Sequence, residues 1–152
     1  ASDVRADCAP LLHTGISLFA APALAAQLMP GFPQSLDGAP ILLPGHGTAM
    51  RLEVEGWFAE RNLHPRGVAE FGDSGLLKAF GREGMGVFPA PTVVSDEVQS
   101  HYNVIEIGVL EGARETVYAV TASGKAENPA LKAVLDASRG LAGVEIADRL
   151  DP

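Results

Sequence analysis

The amino-acid sequence predicts an α/β fold built on largely parallel sheets. Three observations carry this. Short apolar runs alternate with segments of helical period along most of the chain. Proline and glycine fall at the junctions between them. No internal repeat or low-complexity stretch interrupts the alternation.

The first strand is read at Ile16-Ser17-Leu18-Phe19-Ala20, and Pro22 then suits the first position of a helix running to Met29. Pro30, Gly31 and Pro33 stop it. A buried strand follows at Pro40-Ile41-Leu42-Leu43 and ends at Pro44-Gly45. From Thr48 to Arg61, Met50, Val54, Trp57 and Phe58 recur at i, i+4, i+7 and i+8, one stripe of an amphipathic helix. Val68 to Phe71 reads as a strand, and Ser74 to Phe80 as a short helix presenting Leu76, Leu77 and Phe80. Gly86-Val87-Phe88 is a short strand, after which Pro91 and Thr92 open a helix with Val94, Val98 and Tyr102 on one face. Val104 to Val109 and Glu115 to Ala122 are two further strands. Asn128 caps a last helix with Pro129 at its first position, Leu131, Val134 and Leu135 as its stripe and Gly140 after its end.

Composition bounds the function. A chain of 152 residues, 47% hydrophobic and 20% charged, can bury a sizeable core, roughly 70% of its unfolded surface. The net charge is −8, from 19 acidic and 11 basic residues. The basic residues are scattered singly, without the clustered face that phosphate contacts require, so no direct nucleic-acid contact is expected. The single cysteine, Cys8, excludes an intrachain disulfide and fits a reducing, cytoplasmic setting. Neither an apolar run of membrane-spanning length nor a signal peptide is visible, so no membrane association is expected.

Most motifs that promise chemistry resolve into structure. Gly81-Arg82-Glu83-Gly84-Met85-Gly86 resembles a phosphate loop but lies between a helix and a strand, the reverse of a dinucleotide fingerprint. Gly81 is read there as a left-handed helix end, and Gly84 and Gly86 as close-packing positions. His13, His46, His64 and His101 show no metal-ligand spacing, and no Gly-x-Ser-x-Gly occurs. Hence no catalytic residue, metal or cofactor is expected. One arrangement stands out: helices begin directly after strand ends at Gly47-Thr48, Asp73-Ser74 and Pro91-Thr92. Open α/β sheets bind ligands beyond the carboxyl ends of their strands, where helix starts present unpaired amides. The same residues are also simply good caps, and Asp73 in particular suits the N-cap position.

The residues also carry a family resemblance. Phe71-Gly72-Asp73-Ser74-Gly75-Leu76-Leu77-Lys78-Ala79-Phe80-Gly81, followed by Gly86-Val87-Phe88-Pro89-Ala90-Pro91-Thr92, resembles the sensor domain of NhaR-type LysR transcriptional regulators. Leu18-Phe19-Ala20-Ala21-Pro22-Ala23-Leu24-Ala25 and Leu36-Asp37-Gly38-Ala39-Pro40-Ile41-Leu42-Leu43-Pro44-Gly45 are similar to the same family in the same order. Tyr118-Ala119-Val120 and Asn128-Pro129-Ala130-Leu131 resemble its last strand and helix.

The resemblance implies a periplasmic-binding-protein-like (type II) sensor fold of two subdomains, with a small-molecule or ion effector in the cleft between them. It implies a complete subdomain II over residues 22–113 and a partial subdomain I from residues 1–21 and 114–152. The missing strands of subdomain I and a DNA-binding helix-turn-helix would then precede Ala1, and a homo-oligomer is expected. The helix starts, set on the subdomain II wall of such a cleft, point to His46, Gly47, Thr48, Asp73, Ser74, Pro89, Ala90 and Thr92 as effector-binding residues. The chain departs from the family in His46-Gly47, where acidic or polar residues are usual, and in Ser123-Gly124-Lys125-Ala126-Glu127, where basic ones are expected. Effector identity therefore does not transfer. A solute-binding protein or an enzyme on the same architecture is the alternative reading, since fold alone does not separate them.

Overall fold

The structure is a computed structural model and describes residues 7–121; the helix expected from Asn128 lies outside them. Its elements run β1 (Asp7–Ala20), α1 (Pro22–Leu28), 3₁₀ turns at Met29–Gly31 and Gln34–Leu36, β2 (Pro40–Pro44), α2 (Ala49–Glu60), β3 (Arg66–Phe71), α3 (Ser74–Arg82), β4 (Phe88–Pro91), a 3₁₀ turn at Thr92–Val94, α4 (Ser95–Tyr102) and β5 (Ile105–Thr121). The chain divides into two compact units. One is Gly15–Glu115, and the described part of the other is the outer ends of β1 and β5, where His13 Nδ1 lies 2.9 Å from Thr116 Oγ1.

The sheets are mixed, which corrects the expectation of largely parallel pairing. β2 and β3 are parallel, with Pro40 opposite Arg66 and Pro44 opposite Phe71. Val87 bridges to Ile41 in parallel, its N–H donating to the Pro40 carbonyl and its carbonyl accepting from the Leu42 N–H. β1, however, is antiparallel to β4, pairing Ile16 with Pro91 and Phe19 with Phe88, and β5 flanks its other side. A run of buried apolar residues reports that both faces are covered and says nothing about strand direction.

β1 feeds both layers of the core by simple alternation. Ile16, Leu18 and Ala20 join Ala25 and Leu28 of α1 and Val54, Trp57 and Phe58 of α2. Phe19 joins Leu42, Phe88, Ala90, Leu77 of α3 and Val98 of α4. Helices thus cover both faces of the unit. The 3.6-residue stripe read along α2 is the buried one, with Val54, Trp57 and Phe58 all below 7% exposed.

Two further expectations are corrected. The two strands expected over residues 104–109 and 115–122 merge into one long strand, β5 (Ile105–Thr121), that runs through Gly112 at φ +88°. The carbonyl of Glu111 beside it accepts from Trp57 Nε1 at 3.0 Å and Arg61 Nη2 at 3.3 Å, so α2 side chains bond the irregular stretch. Gly81 is helical, inside α3, and the left-handed residue is Gly84 at φ +81°. Gly81 is small because the Phe88 ring stands where a Cβ would go.

Glu115 of β5 is half-buried, and its Oε2 has no hydrogen-bond partner among the described residues. Desolvation raises its carboxyl above the ordinary 4.5. The folded chain therefore holds this proton more tightly than the unfolded chain. Its contribution is most favourable below the ordinary carboxylate range and is lost as pH rises through the raised value. Glu115→Gln is expected to raise the melting temperature at pH 7 and to leave it unchanged in acid. Parallel pH profiles for the two proteins would contradict this.

Among the described residues no helix is long and apolar enough to cross a membrane.

Candidate functional site

Because β2, β3 and the Val87–Pro91 stretch run the same way, their carboxyl ends share one edge of the unit. The residues following those ends are the ones singled out from sequence. His46, Gly47 and Thr48 follow β2, Asp73 and Ser74 follow β3, and Thr92 follows β4.

The β2–α2 loop turns at Gly47, whose φ of +81° favours a residue without a Cβ. Thr48 is the N-cap of α2. Its hydroxyl donates to the Gly45 carbonyl at 2.9 Å and accepts from the Arg51 N–H at 3.2 Å. Glu70, near the end of β3, fastens this loop to the neighbouring strand. Its Oε1 accepts from the His46 N–H at 2.9 Å, and its Oε2 lies 3.4 Å from both His46 Nε2 and Arg51 Nη1. The His46 amide, followed by the charges of His46 and Arg51, holds the Glu70 carboxyl below the usual range. Arg51, 7% exposed, also donates from Nη1 to the Pro44 carbonyl at 2.7 Å and from Nε to Glu55. Its charge is committed inside the loop.

At α3, Asp73 is the N-cap and its carboxylate accepts from the Leu76 N–H at 3.0 Å. A Cβ on Gly75 would stand 3.0 Å from that carboxylate oxygen, so Gly75 leaves room for the cap. Ser74 is exposed beside it. Thr92 opens a 3₁₀ turn instead of an α-helix, and α4 starts three residues later at Ser95. The Thr92 Oγ1 lies 2.8 Å from the Oγ of Ser17 on β1. Pro89 and Ala90 differ from the others: both are buried within β4, opposite Leu18 and Ser17. Their side chains meet the core, and their backbone fixes where Thr92 begins.

Sequence reasoning missed Ser17, Arg51 and Glu70. Arg51-x-x-x-Glu55 carried the i, i+4 signal of an ion pair, but nothing local marks Glu70 or Ser17 as partners of distant loops. Chemically the edge offers first-turn amides of α2 and α3, the hydroxyls of Ser74 and Thr92, and the carboxylate of Asp73. Such a set holds a small polar molecule. Asp73 favours a hydroxyl donor or a cation. Among the described residues no group of three or more His, Cys, Asp or Glu side chains gathers as for a metal. A separate groove of about 190 Å³ runs along the body of α2, lined by Leu52, Trp57, Glu60 and Gly112 among others.

Residues 2–142 match the family model of the LysR substrate binding domain. Over 103 residues the chain is 30% identical to the transcriptional activator protein NhaR of Escherichia coli K12, covering 68% of this chain and 34% of NhaR. The NhaR of Shigella flexneri matches equally. The chain thus spans about a third of the length of these relatives. Among solved structures, the AmpR effector domain of Pseudomonas aeruginosa aligns with a TM-score of 0.61 at 18% identity, covering 91% of this chain and 67% of that one. The QuiR effector-binding domain in complex with shikimate aligns at 0.59 and 17% identity, covering 90% and 65%. The CcmR regulatory domain of Synechocystis in complex with 2-PG aligns at 0.57 and 16% identity, covering 91% and 67%. At these identities the structures show the fold, which is the periplasmic-binding-protein-like fold expected from the sequence.

Proposed function

Since the chain belongs to the LysR substrate-binding domain family, we propose that it is the effector-sensing part of an NhaR-like transcriptional regulator, binding a small polar molecule or ion. The observation that carries this is the common sheet edge at which Thr48, Asp73, Ser74 and Thr92 follow strand ends. We assign the effector to that edge, with His46 and Gly47 shaping the loop and Pro89 and Ala90 setting the strand beneath Thr92. We assign residues 22–113 to subdomain II of the sensor and residues 1–21 and 114–152 to subdomain I; the boundary of the compact unit falls at Gly15 and Glu115, so residues 15–21 and 114–115 pack with subdomain II. Related folds in complex with shikimate and with 2-PG support the class of ligand, though not its identity.

In this reading the chain senses and does not catalyse. The Thr48 hydroxyl and one Asp73 carboxylate oxygen serve as caps, the structural role expected of helix starts in a sensor. Regulation is cytoplasmic and works through a homo-oligomer. DNA contact falls to the part of the regulator that corresponds to the remaining length of NhaR. Effector binding acts by its differential affinity for two arrangements of the sensor.

The test is a promoter-reporter assay on the full-length regulator carrying Thr48→Ala and Ser74→Ala. Response to its inducing condition is expected to fall severely, while stability drops by only about 1 kcal/mol, the usual size of a lost cap. An unchanged response in the double variant rejects the site.

A further inference from the structure

Resting on that assignment, we infer that Ser17 is a positioning residue for the effector site: it anchors the Thr92 hydroxyl to strand β1. Ser17 is 0% exposed, and its Oγ lies 2.8 Å from Thr92 Oγ1. A buried hydroxyl that loses its partner bears the desolvation cost in full, so Thr92 does not swing away without a penalty. A second contact acts on the same side chain. Gly15, two residues earlier on β1, has no Cβ; one built there would stand 3.1 Å from Thr92 Oγ1 and 3.7 Å from its Cβ. β1 therefore holds Thr92 twice, by a hydrogen bond with Ser17 and by close packing over Gly15. The antiparallel register makes this possible, since Ser17 faces Ala90 and Ile16 faces Pro91, bringing Thr92 alongside Gly15.

The bond leaves Thr92 with capacity to spare. A threonine hydroxyl donates one hydrogen bond and accepts two. With Ser17 as donor, the Thr92 proton is free for a ligand oxygen. With Thr92 as donor, its remaining lone pair is free for a ligand hydroxyl or a cation. A ligand at Thr92 thus fixes which of the two hydroxyls donates in the Ser17–Thr92 pair.

The experiment uses the 152-residue chain, with Ser17→Ala, the near-isosteric Thr92→Val and the double variant. Three-bond couplings to the Thr92 methyl carbon report its χ1 rotamer, and glycolate, which carries one carboxylate and one hydroxyl, is the probe, titrated by amide shifts. We expect one Thr92 rotamer in the parent and an averaged one in Ser17→Ala. Glycolate affinity should fall about fivefold in either single variant and no further in the double, the loss expected for one net hydrogen bond. A single unchanged rotamer in Ser17→Ala overturns the inference, as do losses that multiply in the double variant. Should glycolate leave the Thr92 amide of the parent unmoved while Ser17→Ala still releases the rotamer, the site assignment fails and Ser17 stands only as the anchor of Thr92.

Discussion

Replacing Trp57 by alanine is expected to destabilise the Gly15–Glu115 unit by about 3–5 kcal/mol, the usual range for a buried aromatic truncated to a methyl. Trp57 is 5% exposed and joins three elements. Its ring lies edge-on to Phe58 at 5.6 Å and stacked with Phe32 at 6.4 Å, and the Arg61 guanidinium covers it at 3.9 Å. Its Nε1 also donates to the Glu111 carbonyl at 3.0 Å, in the irregular stretch of β5. With small domains stable by only about 5–15 kcal/mol, this one change takes a large share of the total. Trp57→Phe keeps most of the packing, and Arg61 still reaches the Glu111 carbonyl, so its loss should be well under half as great. Urea unfolding decides the matter; an alanine variant weaker by less than about 1 kcal/mol shows that the α2–β5 junction is not part of the core.

Gly81→Ala is the second large effect, and here two physical terms oppose each other. Helix propensity favours alanine over glycine by about 1 kcal/mol. A Cβ at position 81, however, would stand 2.2 Å from Cδ1 and 2.4 Å from Cε1 of Phe88. Phe88 is 0% exposed and stacked on Phe19 at 5.7 Å, so it has little room to retreat. A clash this close belongs at the upper end of the usual overpacking range, about 3 kcal/mol, which leaves a net loss of about 2 kcal/mol. Gly56 in α2 is the control. Nothing lies within 4 Å of its built Cβ, so Gly56→Ala should stabilise by up to about 1 kcal/mol. Shortening Phe88 to leucine in the Gly81→Ala background should return part of the loss. If Gly81→Ala behaves like Gly56→Ala, the α3–β4 packing described above is wrong.

The glycines show where sequence reasoning reached and where it stopped. The composition of Gly81-Arg82-Glu83-Gly84-Met85-Gly86 marked a turn with close packing and excluded a phosphate loop from context alone. Which glycine took which role was not visible there. The assignment depends on Phe88 lying over Gly81 and on the carbonyl of Pro40 lying 3.0 Å from a Cβ built on Gly86, both tertiary facts. Helix starts were readable because capping is local: Thr48 and Asp73 bond amides three residues on. Strand direction was not, because Ile16, Leu18 and Phe19 would be equally apolar in a parallel or an antiparallel neighbour of β4. The gap expected between the strands at 104–109 and 115–122 is instead part of β5, where the Glu111 carbonyl beside Gly112 accepts from Trp57 of α2.

The candidate site followed the same division. His46, Gly47, Thr48, Asp73, Ser74 and Thr92 were singled out because each follows a strand end. Pro89 and Ala90 came from resemblance, and burial gives their side chains to the core. Glu70 and Ser17 stayed hidden because each acts on a segment that folding, not sequence, brings near.

The central claim is that this chain takes a small polar effector at the shared strand ends, and site-resolved amide shift mapping tests it most directly. The 152-residue chain would be titrated with a panel of small hydroxy acids, polyols and monovalent salts. The account predicts that binders move the amides of Ala49, Met50, Ser74, Gly75 and Thr92 together, with one saturation curve. Binders that move only the groove along α2 at Leu52, Glu60 and Gly112, or that leave Thr48 through Met50 and Ser74 unaffected at saturation, would contradict it.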